Sequence, residues 1–364
     1  MYFKEIKLRD FRNYENQKIE FHPKVNIITG KNAQGKTNLL EALYIMSLGK
    51  SFRTNKDCDL IKFSKEKAVI STITSKENRN IEIEFAYFQG DKTIKINGLK
   101  TQKHSEILEN VYTVIFSPED LKIVKDEPEK RRRFINIELC QIRPIYYKNL
   151  ARYKKILVQR NHILKQETLN KELLDVWSEE LYKTGSKIIL DRAEFVKKLD
   201  KLSRKIHSNI TDGNEKLEVY YDSNVPVKEG LHQQIDEFRA KTIQNFKNDI
   251  SRRTSTIGPH KDDLTILING YNVRDFGSQG QQRTAALSLK LAEIELIKEE
   301  TGETPILLLD DVLSELDFSR QKFLINSLQD VQLFITTTEI SDYVKDSLKD
   351  NFTFTVENGS INKN

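Results

Sequence analysis

Only two of the 364 residues are cysteine, Cys58 and Cys140, and no histidine-rich tract accompanies them. Two thiols cannot assemble a metal site of the usual kind, and they read as reduced thiols of a cytosolic protein. Long apolar runs are also missing. No stretch approaches the roughly 18–20 apolar residues needed to span a bilayer, so no membrane partner is expected. The N-terminus, MYFKEIKLRDFRNYENQKIEF, alternates charged and apolar side chains and reads as a strand rather than a signal peptide. Repeats and low-complexity segments are absent. No charge of one sign dominates: 59 Lys and Arg face 54 Asp and Glu, for a formal net charge of +5. That balance permits nucleic-acid binding without demanding it. Together these absences leave a soluble, cytoplasmic protein.

The length suggests two domains, possibly three, and 38% hydrophobic residues suffice for a core. VNIIT (25–29) is a continuous apolar run, as a buried strand should be. A helix is expected from about Thr37, with Leu39, Leu40, Leu43 and Met46 on one face. Residues 68–116 alternate as β-structure, with a turn signal at Asn97-Gly98. From about 128 to 208 the chain turns rich in Lys, Glu, Leu and Arg, with glycine only at 185, and reads as helical. KLEVYY reads as a strand, 231–250 as a helix, and 263–276 as a β-hairpin leading into GSQGQQ. A strong helix runs on to about Glu300. PILLLDD (305–311) and VQLFITTT (331–338) are buried strands separated by a helix over roughly 317–329, and FTFTVENGSI closes the chain as a hairpin. The β-rich ends are expected to build one lobe, 1–117 plus 300–364, around an inserted, mainly helical lobe, 118–299. About 160 residues of that insertion, folded back on themselves, give arms of at most ~120 Å.

Residues 30–37, GKNAQGKT, fit G-x-x-x-x-G-K-[ST] at every fixed position, between a buried strand and a helix. Backbone N–H groups of Gly30, Lys31, Asn32, Ala33, Gln34 and Gly35 are placed to curl around phosphate oxygens, with Asn38 in the helix's first turn. Lys36 is assigned to the β- and γ-phosphates and Thr37 to magnesium. The motif implies a nucleoside triphosphate with Mg²⁺. NKDCD (55–59) resembles a guanine-recognition motif, but Cys58 stands where an Asp is required, and the segment reads as a surface turn. LLLDD ends an apolar strand in two carboxylates: Asp310 is the expected magnesium ligand, and Asp311 the residue that positions or deprotonates the attacking water.

Ser278, Gln279, Gly280 and Gln281 open the next-to-last long helix, followed by LLLDD and then by Ser314-Glu315-Leu316-Asp317. This order resembles the ABC-type ATPases, whose signature loop is usually L-S-G-G-Q. Gly277 here replaces the leucine and Gln279 the first glycine. The resemblance implies that Ser278–Gln281 cap the γ-phosphate held by a second subunit, that Asp317 belongs to the loop beside it, and that ATP joins two copies into a homodimer. The 242 residues separating Lys36 from Ser278 and the short lead-in before the phosphate loop resemble the SMC/Rad50-like branch rather than transporter ATPases. Within that branch FRNY (11–14), FSPEDL (116–121), KRRRFINIEL (130–139), IGPHKDDL (257–264), GSQGQQRT and LLLDDVLSELD resemble the RecF family of bacterial recombination mediators.

The resemblance implies an α/β ABC-type P-loop ATPase head: a first lobe of mixed β-sheets around the P-loop helix, with the helical lobe inserted. It implies binding to double-stranded and to gapped or single-stranded DNA, a place in DNA replication, repair and the SOS response, RecR as a partner, and RecO and the recombinase as indirect ones. By analogy Arg12 reaches the nucleotide's phosphates. Asp311, one methylene shorter than the usual Glu, implies slow hydrolysis, so that ATP acts more as a timer than a motor. Thr336–Thr338 stand where many ABC proteins carry a switch histidine, and Glu119 or Asp120 where they carry a glutamine. Lys130, Arg131, Arg132 and Arg133 fill the first turns of a helix, where cations oppose the dipole, and are candidate DNA contacts. Arg252-Arg253 and Lys197-Lys198 are weaker candidates, and HKDD (260–263) reads as structural or lobe-coupling. Two rivals stay open here: the ATPase subunit of a transporter and a small-molecule P-loop kinase.

Overall fold

The computed structural model describes residues 1–77, 79–101, 105–120, 123–328, 331–339, 342–348 and 350–364. Leu121 of FSPEDL and residue 329 at the end of the expected helix lie outside the described residues. The chain opens with β1 (Tyr2–Phe11), β2 (Tyr14–Glu20), β3 (Val25–Thr29), α1 (Lys36–Leu48), β4 (Lys67–Lys76), β5 (Arg79–Phe88), β6 (Asp91–Ile96), β7 (Leu99–Thr101), α2 (Ser105–Leu108) and β8 (Thr113–Phe116). A mainly helical stretch follows: α3 (Pro128–Ile142), α4 (Pro144–Leu164), α5 (Lys171–Ile210), β9 (Leu217–Asp222), α6 (Leu231–Gln244), α7 (Phe246–Arg252), β10 (Asp263–Ile268), β11 (Tyr271–Asn272), α8 (Val273–Phe276) and α9 (Gln279–Thr301). The chain closes with β12 (Ile306–Asp310), α10 (Phe318–Asn326), β13 (Leu333–Thr337), α11 (Asp342–Ser347), β14 (Asn351–Glu357) and β15 (Ser360–Lys363). It divides into two compact units, Met1–Leu121 with Glu293–Asn364, and Lys122–Ala292.

The first unit holds two six-stranded sheets. One is antiparallel, in the order β2-β1-β4-β5-β6-β7. The other runs β15-β14-β3-β13-β12-β8 and is parallel except for the β14–β15 hairpin at its edge. The apolar runs VNIIT, ILLLD and LFITT are its central strands. Strands covered on both faces carry no alternation, which is why they read as continuous runs. Asn97-Gly98 and Asn358-Gly359 form their hairpin turns with positive φ at both residues, the conformation that Asn-Gly tolerates best.

Helix α1 touches β4 and β5 of the antiparallel sheet and β8, β12 and β13 of the parallel one. The expectation of a single apolar face is therefore corrected. Leu39, Leu40, Leu43 and Met46 are buried, but so are Ala42, Tyr44 and Ile45 around the rest of the helix. A helix lying between two sheets has no solvent side to leave polar. The parallel register sets Thr29 of β3 beside Thr337 of β13, and Asp310 of β12 beside Thr336. The phosphate loop and the acidic strand end thus emerge at one carboxyl edge, where open α/β sheets take ligands.

In the second unit the long helical stretch is three helices. Arg143 is extended ahead of Pro144, which bars the α conformation from its predecessor and separates α3 from α4. Helix α5 spans 40 residues, about 60 Å, half the bound set by the sequence. Its glycine is a packing device: a Cβ on Gly185 would meet Phe238 of α6 at 2.5 Å and Tyr153 of α4 at 2.9 Å. The expected helix over 231–250 breaks at Asn245. The expected hairpin keeps only Tyr271 and Asn272 as its second strand. The Asn272 side chain then accepts from the Arg274 N–H and starts a helical turn.

The polar core of this unit collects on residues 249–263. Arg160, 1% exposed, donates to Asp249 at 2.8 Å and to Ser178 and Ser255. Arg192, 2% exposed, donates to Asp262 at 2.8 Å and to the Pro259 carbonyl and Tyr146. The His260 ring sits between the Tyr153 hydroxyl and the Ser255 carbonyl, and burial pushes it down to about 4, holding it neutral. IGPHKDDL is thus bound at several points to helices α4 and α5. No helix among the described residues is long and apolar enough to cross a membrane.

Asp249 also accepts from the Thr256 N–H, so its removal leaves the Arg160 charge and an amide without their acceptor. Asp249→Ala is expected to lower the free energy of unfolding by about 3–5 kcal/mol in urea titrations, and an unchanged midpoint would show the pair to be dispensable.

Candidate nucleotide-binding site

The phosphate loop is held on two sides by turns. At Gly30, with φ of 148°, a Cβ would lie 2.4 Å from the Val356 carbonyl oxygen. At Gly35, with φ of 125°, it would lie 2.7 Å from Asn13 Nδ2 and 3.0 Å from the Tyr14 hydroxyl. Asn13 Nδ2 donates to the Gln34 carbonyl at 2.7 Å, and the Tyr14 hydroxyl donates to the Gly35 carbonyl at 2.8 Å. From the other side the Asn358 N–H donates to Gln34 Oε1 at 2.6 Å, and the Gly359 N–H to the Gln34 carbonyl at 3.2 Å. Asn38 donates to Asn13. With these carbonyls turned outward to the braces, the loop's amides are left for its concave side. Lys31, Asn32 and Ala33 at the loop's tip are exposed. Lys36, 4% exposed, folds its ammonium onto the Gly30 carbonyl at 2.7 Å and that of Lys31 at 3.3 Å.

Thr37 donates to Asp310 Oδ1 at 2.9 Å, and Thr336 donates to the same oxygen at 2.9 Å. Burial raises the Asp310 carboxyl above its usual range, against the lowering effect of these hydroxyls. A threonine hydroxyl and a carboxylate in contact are the hard oxygen donors that Mg²⁺ takes. A divalent cation there would reverse the cost of that buried charge, so the residues fit the group. Asp311 adopts the left-handed conformation, φ of 52°, and its N–H donates to Thr336 Oγ1 at 3.0 Å. The Thr336 hydroxyl thus contacts both acidic residues, the Asp310 carboxylate and the Asp311 N–H.

Arg12 lies in the two-residue turn between β1 and β2, with φ of 52°. Its guanidinium grips Glu41 of α1 through Nε at 2.9 Å and Nη2 at 2.7 Å, and Nη1 donates to the Asp59 carbonyl. Glu41 is fully buried and also receives Ser51 and Arg53, while Arg53 donates to Asn38 Oδ1 at 2.6 Å. The sequence reading passed over Glu41 and Arg53. The usable signal was a lone carboxylate inside LLEALYIM, which cannot be buried without cationic partners.

In the second unit Ser278 caps α9. Its Oγ accepts from the Gln281 N–H at 3.2 Å, and Gln281 Oε1 accepts from the Ser278 N–H at 2.9 Å, a reciprocal capping box. Ser278 and Gln279 are exposed, and Gly280 is partly so. Asp317, back in the first unit, caps α10 by accepting from the Arg320 N–H at 3.0 Å.

Arg131 is corrected as a DNA contact. It is 2% exposed and donates to both carboxylate oxygens of Asp263 at 2.7 and 2.8 Å and to the Asp126 carbonyl. An internal ion pair accounts for this cation near a helix start. Arg132 donates to the Asp262 carbonyl at 2.6 Å, whereas Lys130 and Arg133 are exposed.

The family model for the RecF/RecN/SMC N-terminal domain matches residues 2–362. The DNA replication and repair protein RecF of Clostridioides difficile (strain 630) is 47% identical over 363 residues, covering 99% of this chain and 98% of that protein. The chain belongs to the RecF family. A solved structure of the recombination mediator protein RecF with ATP, in the RecFOR pathway, superposes with a TM-score of 0.93 at 40% identity, covering 100% of this chain and 97% of the other. An SMC head bound to the C-terminal winged-helix domain of ScpA shares the fold, with a TM-score of 0.56 at 16% identity, covering 100% of this chain and 97% of the other. The chain is thus an α/β head of the ABC-type ATPase fold, with one antiparallel and one mixed sheet around the P-loop helix. The full-length match to RecF sets aside the transporter subunit and the small-molecule kinase.

Asp310→Asn keeps the Oδ1 acceptor for Thr37 and Thr336 and removes the buried charge. A raised folded pKa means that the native state holds the proton more tightly than the unfolded chain. The charge's cost is then full at neutral pH and vanishes as pH falls below the unfolded value near 3.8. Without nucleotide or metal the variant is expected to melt a few degrees above the wild type at pH 7, with the gap closing toward pH 4 in melting curves. Equal melting at pH 7 would remove the charge-burial argument.

Proposed function

We propose that the chain is an ATP-dependent, dimerising DNA-binding protein of recombinational repair, which helps load recombinase on gapped or single-stranded DNA. The observation that carries this reading is the pairing, in one chain, of a braced phosphate loop joined to Asp310 with an exposed, serine-capped helix N-terminus at Ser278. The first suits a triphosphate held in cis. The second suits an anion presented by another molecule, since helix N–H groups and the serine hydroxyl are donors.

In this reading Gly30–Asn38 cradle ATP, Lys36 exchanges its two loop carbonyls for β- and γ-phosphate oxygens, and Thr37 and Asp310 hold Mg²⁺. Bound magnesium would neutralise phosphate charge and polarise the transferred group. Asp311, fixed through its N–H to Thr336, orients the attacking water, its short side chain supports slow hydrolysis, and DNA is proposed to stimulate it. Arg12 would leave Glu41 to reach phosphate. Ser278, Gln279, Gly280 and Gln281 receive the γ-phosphate of a second copy, with Asp317 alongside, so that ATP sandwiched between two chains makes the homodimer. The domain division is proposed as 1–117 plus 300–364 for the nucleotide lobe and 118–299 for the signature lobe. Lys130, Arg132 and Arg133 remain candidate contacts to duplex or gapped DNA. RecR is the proposed direct partner, RecO and the recombinase are reached through it, and the compartment is the cytoplasm.

Sedimentation with and without ATP and Mg²⁺ tests the reading. The wild type is expected to dimerise only with both. Ser278→Arg is expected to keep single-chain ATP affinity within about twofold and lose dimerisation. Lys36→Ala is expected to lower ATP affinity by tens to about a hundredfold and lose both. DNA affinity should fall steeply with salt. A wild type that stays monomeric at every practical concentration of ATP and Mg²⁺ would overturn the sandwich.

A further inference from the structure

Gln281 is held from outside its own loop. Its Nε2 donates to Glu215 Oε1 at 2.9 Å, while its Oε1 receives the Ser278 N–H. Glu215 follows the turn that ends α5, where Thr211 and Gly213 close the helix on the carbonyls of His207 and Ser208. The second carboxylate oxygen of Glu215 lies 3.1 Å from Nε2 of His207, a fully buried ring on the last turn of α5. A carboxylate oxygen only accepts, so Nε2 donates. The ring's Nδ1 is 3.1 Å from the hydroxyl of Ser288, farther along α9. Two donors on Glu215 and two contacts on His207 therefore tie the end of α5 to α9 at Gln281 and again at Ser288.

From these contacts we infer that Glu215, oriented by His207, is the positioning residue of the signature loop, holding it in the shape that receives the phosphate of a second copy. The inference rests on the dimer reading above. An amide side chain can turn either end toward the Ser278 N–H. The Glu215 carboxylate accepts only from the NH₂ end, which turns the Gln281 oxygen toward that N–H and completes the capping box. In the box Ser278 Oγ accepts from the Gln281 N–H, which leaves the hydroxyl proton for a phosphate oxygen. Held before the phosphate arrives, these donors need no reordering on binding. The sequence signal is faint: Glu215 is one of three acidic residues in DGNEKLEV, 63 positions before Ser278.

Glu215→Gln tests the inference, because it preserves shape but leaves one acceptor for two donors. Hydrogen exchange of the first-turn amides of α9, measured on the full chain without nucleotide, is expected to quicken about tenfold, while melting temperature and single-chain ATP affinity stay near wild type. The dissociation constant of the ATP–Mg²⁺ dimer is expected to rise by about tenfold or more. In a Gln281→Leu background the same change should have no further effect on either readout, whereas a further, additive loss would mean that Glu215 acts through general stability and overturn the inference. Unchanged exchange overturns it, and so does quickened exchange with undiminished dimerisation. Quickened exchange in a chain whose wild type never dimerises supports the brace and counts against the dimer reading instead.

Discussion

The nucleotide-binding unit depends on the close approach of three backbone segments at the phosphate loop. Gly30 lies against the backbone of β14, and Gly35 against the Asn13-Tyr14 corner, at separations where a methyl group has no room. Nothing local forces a glycine-rich loop into one shape, because glycine loses more conformational freedom on ordering than any other residue. The shape is imposed from outside. Gln34 is the centre of that constraint: its carbonyl and side chain accept from Asn13, Asn358 and Gly359. The turns of the first and last hairpins of the chain therefore both close on the loop. The parallel sheet then fixes where Asp310 and Thr336 stand relative to it.

The second unit solves a similar problem with charge. Arg131, Arg160 and Arg192 are all buried, and each finds an aspartate: Asp263, Asp249 and Asp262. Such pairs cost desolvation and add little net stability over a hydrophobic isostere, but each is strongly unfavourable when broken. They fix α7 and the segment 255–263 against α3, α4 and α5. Carbonyls and amides of that segment, which has little regular structure to satisfy them, are met by side chains such as Asn161, Asn224 and Arg192.

What the sequence made legible follows from which interactions are local. VNIIT, PILLLDD and the Asn-Gly turns were readable because burial on both faces and left-handed backbone each leave a signature within a few residues. GKNAQGKT and the order of the motifs gave the fold and the family. The readings that needed correction were those where a partner far along the chain decides. KRRRF looked like a surface of cations until Asp263 supplied an acceptor for Arg131 from 132 positions away. The S-x-x-Q spacing of a capping box was present in SQGQ, but Glu215, which orients its glutamine, has no motif of its own. The one-sided stripe expected for α1 failed for a different reason. Periodicity reports one apolar face, and this helix has sheets on both sides.

Four buried or partly buried carboxylates separate structure from chemistry by their partners. Glu41 has Arg12 and Arg53, Asp249 has Arg160, and Asp262 has Arg192. Asp310 receives hydroxyl groups instead, from Thr37 and Thr336. Hydroxyls orient a carboxylate but carry no charge to neutralise it. A fold that needed only a cap at the end of β12 would be served better by asparagine, which accepts the same two hydrogen bonds without a charge. The carboxylate stays costly until a cation arrives beside it. In the proposed reading that imbalance would favour a cation small enough to share Thr37 and accompanied by a phosphate for which Lys36 would release the carbonyls of Gly30 and Lys31.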